Sequence, residues 1–95
     1  MIVPANINKI RSDFPILGSK VYDKPLVYFD NAATTQRPRR VIDTVSEFYL
    51  QYNSNVHRGI HQLSTLATTA FENTRKKIAE FINAGHQHEV IFTRG

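Results

Sequence analysis

The stretch Asn55-Val56-His57-Arg58-Gly59-Ile60-His61 decides how the rest of the chain is read. It places two imidazoles, a guanidinium and a permissive glycine between two segments of helical periodicity. Gly59 and the preceding Asn53-Ser54-Asn55 cluster mark it as a loop rather than a helix continuation. A second stretch, Phe29-Asp30-Asn31-Ala32-Ala33-Thr34-Thr35, ends an apolar run abruptly in small polar residues. Asp, Asn and Thr side chains bond to nearby backbone and favour turns or caps.

Working outward from the histidine loop, Leu63, Leu66, Ala67, Ala70, Phe71, Thr74, Ile78, Phe81 and Ile82 mark one face at helical spacing. Glu72, Asn73, Arg75, Lys76, Lys77 and Glu80 take the opposite side, and Glu72 and Lys76 stand in the favourable i, i+4 order. The pattern predicts a helix over Gln62–Asn83, roughly 33 Å long at 1.5 Å per residue. Asn83-Ala84-Gly85 suits its stop. Thr69-x-x-Glu72 matches a capping box that would start the helix seven residues later, but the apolar stripe crosses Thr69 unbroken. Before the loop, Val41, Val45, Phe48 and Tyr52, widened by Ile42 and Tyr49, predict a helix over Pro38–Tyr52. That aromatic stripe reads as core.

Towards the start, Ile7–Phe14 reads as a short helix capped by Asn6. Pro15 discourages a helical Phe14, so Pro15-Ile16-Leu17 is expected to be extended. Lys20-Val21-Tyr22 and Leu26-Val27-Tyr28-Phe29 read as two strands about an Asp23-Lys24-Pro25 turn, the second covered on both faces. The chain closes on Glu89-Val90-Ile91-Phe92-Thr93, a short strand, and then Arg94-Gly95.

Ninety-five residues bound the chain to one domain or part of one. Hydrophobic residues make up 41 % and charged residues 21 %, the balance of ordinary globular proteins. The net charge of +4 is spread out, apart from Arg37/Arg39/Arg40 and Arg75/Lys76/Lys77. Each cluster reads as a solvated face, with phosphate or nucleic-acid contact as the competing reading. With no cysteine, these residues form no disulfide and carry no thiolate. The first residues do not read as a signal peptide, and no stretch approaches the eighteen or so apolar residues of a membrane span. The expected compartment is the cytoplasm.

His57 and His61, four apart, would share one metal on a helix, but the loop between them and the lack of a third ligand speak against it. Either imidazole suits acid–base work near neutral pH. Arg58 suits a carboxylate or phosphate, which its planar fork grips at two points. The plainer alternative is that these side chains bond to neighbouring backbone and hold the loop. Ala32 and Ala33 carry no functional group and have only steric value. Ser64 and the threonines have no base at the spacing of a hydrolase triad.

Four pieces, in order, resemble the cysteine desulfurase/selenocysteine lyase (SUF-type) branch of the class V aminotransferase family. Ile10-Arg11-Ser12-Asp13-Phe14-Pro15 resembles its N-terminal arm, and Leu26 to Pro38 its strand and small-residue turn. Val56-His57-Arg58-Gly59-Ile60-His61-Gln62-Leu63-Ser64 is similar to its active-site loop. Val90-Ile91-Phe92-Thr93-Arg94-Gly95 is similar to the strand leading into the cofactor-phosphate turn.

The resemblance implies an α/β fold, the N-terminal part of a fold-type I, aspartate-aminotransferase-like domain that binds pyridoxal 5′-phosphate. Residues 1–25 would be an arm associated with the small domain, and residues 26–95 the incomplete start of the large one. It implies a homodimer that takes sulfur from L-cysteine, leaving L-alanine and an enzyme persulfide, and passes the sulfur to an acceptor protein of iron–sulfur cluster assembly. Selenocysteine lyase activity is a side activity of the family. Ala32, Ala33, His57 and Arg58 would lie in the substrate pocket, with Arg94 and Gly95 leading to the phosphate turn. The family's Schiff-base lysine and nucleophilic cysteine have no counterpart here, so the segment alone is expected to be inactive and poorly folded. No metal, nucleic-acid or membrane partner is implied. The alternative is a small basic helical module that binds nucleic acid or a protein partner.

Overall fold

Local chemistry explains the helices. A computed structural model describes residues 3–94, with α1 at Ile7–Ser12, α2 at Arg39–Glu47 and α3 at Gln62–Phe81. Asn6 caps α1 as expected, its Oδ1 accepting from the Lys9 N–H at 3.1 Å. Pro38 stands just ahead of α2, its carbonyl accepting from the Val41 and Ile42 amides. No helix among the described residues is long and apolar enough to cross a membrane.

At the end of α3, Asn83 adopts the left-handed conformation with φ 56°. The Ala84 amide then donates to the Ala79 carbonyl at 2.9 Å, and the Asn83 amide to Glu80. Together they form a Schellman stop, with asparagine at a position that more often takes glycine. The helix starts at Gln62 and crosses Thr69, so the later start is excluded.

The chain divides into two compact units at Ser46/Glu47. The first unit holds α1, a 3₁₀ turn at Pro15–Gly18, a minimal hairpin and α2. In the hairpin β1 (Lys20–Val21) pairs antiparallel with β2 (Lys24–Pro25). Its loop is Tyr22-Asp23, with φ of 51° and 60°, the positive angles a two-residue I′ connection demands. The Arg39 amide donates to the Asp13 carbonyl at 2.7 Å, fastening the start of α2 to the end of α1. In the second unit a π-helical turn, Phe48–Tyr52, packs on α3, and a 3₁₀ turn, Gln87–Glu89, folds back against it. The buried residues there are Ser64, Ala67, Ala79 and Val90.

Several local expectations need correction. Pro15-Ile16-Leu17 is a 3₁₀ turn rather than extended, because a proline at the first position suits a helical start once Phe14 is extended. The hairpin turn falls on Tyr22-Asp23, and Lys24-Pro25 belongs to the second strand. Leu26–Phe29 pairs with no strand among the described residues, and Phe29 is 92 % exposed. Glu89 ends a 3₁₀ turn instead of opening a strand, since His86 caps that turn through the His88 amide and Glu89 accepts back from the His86 amide. Propensity marks both runs as strands, but a strand exists only with a partner, and partners in a parallel sheet come from far along a chain. The π-helical turn also replaces the last turn of the helix expected to reach Tyr52, and Val45 and Tyr49 are exposed rather than core.

Candidate functional site

The two stretches singled out in the sequence fall in different units. In the first unit, Tyr28 organises the small-residue turn, its hydroxyl lying 2.7 Å from the Asp30 carbonyl and 2.6 Å from the Thr34 carbonyl. The Thr35 hydroxyl donates to Asn31 Oδ1, and Arg37 Nη1 donates to the Thr35 carbonyl at 2.7 Å. Ala32 and Ala33 sit at the exposed crest of this turn. Beside it lies a groove of about 240 Å³ lined by Ile10, Phe14, Leu17, Tyr28, Asn31 and Thr35, and neither alanine lines it. The side chain that shapes the turn is therefore Tyr28, which the sequence presents as one more apolar strand position.

The histidine loop is anchored on the first turn of α3. Ser64 is fully buried; its Oγ donates to the Asn55 carbonyl at 2.7 Å and accepts from the Gly59 amide at 3.0 Å. One hydroxyl thereby closes the loop from both sides. His61 caps α3, its Nδ1 accepting from the Ser64 amide at 3.3 Å. His57 has φ 65°, a left-handed backbone uncommon outside glycine. Its amide donates to Thr68 Oγ1 at 2.9 Å, and its Nε2 lies 2.8 Å from Glu72 Oε1. The two imidazoles thus serve different partners. No group of three or more His, Cys, Asp or Glu side chains is arranged for a metal among the described residues. Arg58 is exposed beside them.

The sequence pattern puts Glu72 and Arg75 on the solvated side of α3, yet they form the polar centre of this unit. Arg75 Nε donates to Glu72 Oε2 at 3.0 Å and Arg75 Nη1 donates to the Val90 carbonyl. The guanidinium lies over Phe71 and Phe92, 5.4 and 4.9 Å from the ring centroids. Glu72 thus turns to His57 and Arg75 rather than to Lys76. The signal in the sequence was the Glu72–Arg75 spacing of three, which competes equally with four on a helix. Arg94 is exposed at the end of the described chain, and Gly95 lies outside the described residues.

The Arg75 guanidinium bond holds the Glu72 carboxyl below its ordinary value of 4.5. The bond to His57 and the charges of both partners act in the same direction, against partial burial. A carboxylate with a depressed folded pKa contributes stability that is present above its unfolded value and lost as pH falls through the folded one. The Glu72 contacts are thus expected to be intact above pH 4.5 and to dissolve at more acid pH. A ¹³C titration of the Glu72 carboxyl should show a midpoint below 4.5, and a midpoint at or above it would contradict the geometry.

The chain matches the family model of the class-V aminotransferases over residues 27–95. It is 58 % identical over 86 residues to a probable cysteine desulfurase of Streptomyces coelicolor, covering 90 % of this chain and 21 % of that protein. A probable cysteine desulfurase of Halalkalibacterium halodurans is 51 % identical over 90 residues, 95 % of this chain and 22 % of that one. The apo structure of a cysteine desulfurase from Thermococcus onnurineus NA1 superposes with a TM-score of 0.78 at 39 % identity, over 98 % of this chain and 22 % of that chain. The chain spans about a fifth of the length of the relatives it matches. Helices joined by a minimal strand pair superpose on the matching part of that cysteine desulfurase structure, and the chain belongs to the class-V aminotransferase family.

Proposed function

We propose that the protein is a pyridoxal-phosphate-dependent cysteine desulfurase. It takes sulfur from L-cysteine, leaving L-alanine and an enzyme-bound persulfide, and hands the sulfur to an acceptor protein for iron–sulfur cluster assembly. The observation that carries the reading is 58 % identity over 86 residues to a probable cysteine desulfurase. In this reading the enzyme is a cytoplasmic homodimer that also accepts selenocysteine. Residues 1–25 belong with its small domain and residues 26–95 open its large one. Ala32, Ala33, His57 and Arg58 contribute to the substrate pocket, and Arg94-Gly95 leads to the phosphate turn.

The described residues do not by themselves form a cradle for the cofactor. Ala32, Ala33 and Arg94 are exposed, and Lys20 and Lys24 are exposed positions of the small hairpin. The cofactor is held in this reading by residues outside this chain, and no step of the reaction is derived through it. What the chain contributes is positioning: Ser64 closes the histidine loop, and Thr68 and Glu72 fix the His57 backbone and ring. Residues 1–95 alone are inactive in this reading, since they contain no cysteine to carry a persulfide.

The nucleic-acid alternative loses one of its basic residues. Arg75 of the Arg75/Lys76/Lys77 cluster is engaged by Glu72 and the Val90 carbonyl, with its side chain only 20 % exposed. The full-length protein, loaded with pyridoxal 5′-phosphate and given L-cysteine and a thiol reductant, is expected to produce alanine and sulfide in equal amounts. Absence of alanine from a correctly loaded protein would end the reading.

A further inference from the structure

Thr68, Phe71, Glu72 and Arg75 occupy successive turns of one face of α3, since residues three and four apart are neighbours on a helix. The histidine loop reaches this row at one end. The His57 amide is on Thr68, its Nε2 is on Glu72, and its ring meets the edge of Phe71 with centroids 5.8 Å apart. The segment after the Gln87–Glu89 turn reaches the other end. The Val90 carbonyl accepts from Arg75, and Phe92 stacks edge-on against Phe71 at 4.7 Å and beneath the Arg75 guanidinium. Glu72 and Arg75 are therefore shared, because the carboxylate that holds His57 is itself held by the guanidinium that holds Val90. Two different nitrogens of Arg75 make those two bonds, a geometry that a lysine ammonium cannot reproduce. His57 needs such support, because a left-handed backbone at a non-glycine residue persists only where its surroundings enforce it.

We propose that Glu72 and Arg75 are positioning residues that tie the histidine loop to the Val90–Phe92 segment, so that one clamp sets both the His57 ring and the approach to the phosphate turn. The proposal rests on the functional reading above for what the two ends do. The clamp itself stands on the contacts just described.

The test uses the full-length protein with ¹⁵N-labelled histidine and ¹³C-labelled phenylalanine, the His57 and Phe92 signals being assigned by their loss in H57A and F92L. Glu72→Gln keeps the shape of the side chain and removes its charge. It is expected to move the His57 Nε2 resonance and to raise KM for L-cysteine about two- to fivefold with kcat little changed, the scale of a partly exposed ion pair. In the H57A background the same change should add nothing, since Glu72 acts through His57. Arg75→Lys keeps the charge and loses the fork, and should shift the Phe92 ring resonances together with those of His57. An unmoved Nε2 resonance in E72Q would overturn the proposal, as would E72Q and H57A penalties that add. If the wild-type protein fails to act on L-cysteine, the functional reading falls, and the His57 and Phe92 resonances still decide the clamp.

Discussion

Gly59→Ala is expected to spring the histidine loop open. A methyl at this position would sit 2.6 Å from Ser64 Cβ, 2.7 Å from Ser64 Oγ and 2.9 Å from His61 Nε2. Ser64 is fully buried and bonded on both sides, so it has no room to yield. The glycine is needed for close approach and not for a left-handed backbone, because no described glycine has positive φ. Forcing a methyl into a filled site typically costs about 1–3 kcal/mol. The same step would break the Gly59 amide bond to Ser64 Oγ. Hydrogen exchange at the Gly59 and Ser64 amides should therefore accelerate by about five- to hundredfold. Gly18→Ala is the control: an added methyl there meets nothing within 4 Å, and exchange in the histidine loop should not change. Unchanged exchange in Gly59→Ala would mean that Ser64 does not close the loop.

Residues 1–95 expressed alone are expected to aggregate or to melt without cooperativity. The chain exposes 8806 Å². A folded monomer of its mass exposes about 5,600 Å², and two separate bodies of half the mass about 6,700 Å². The excess is therefore at least about 2,000 Å² wherever the two units sit, more than a standard protein–protein interface. Much of it is apolar, with Leu50 at 83 %, Phe81 at 91 % and Ile91 at 76 % exposure. Large apolar side chains left this exposed are a liability for aggregation where they gather into a patch. The unpaired Leu26–Phe29 and Ile91–Thr93 runs add the hazard of strands without neighbours. Size-exclusion chromatography and a thermal melt decide the matter. A soluble monomer with one sharp transition would show that this surface needs no cover.

The sequence alone determined the features that depend on near neighbours. The cap by Asn6, the start of α3 at Gln62 and its stop at Asn83 follow from side chains a few residues from the backbone groups they satisfy. The loop character of the histidine stretch and the turn at Asn31–Ala33 follow from residue types that disfavour regular structure. The family resemblance was legible in the same short segments. What the tertiary structure decided is which of several possible partners, near or distant, each side chain takes. Leu26–Phe29 and Glu89–Thr93 have strand composition but no ladder, because hydrogen bonds between strands are made elsewhere in a chain. Along the helix Glu72 has two nearby cations to choose from, Arg75 and Lys76. It takes Arg75 and His57 because the histidine loop folds over α3 from fifteen residues away, a closure that helical spacing does not encode. Tyr28 and Ser64 look like an apolar strand residue and an ordinary helix serine. Only the folded positions of the Asp30, Thr34 and Asn55 carbonyls make them the bonds that hold the two loops.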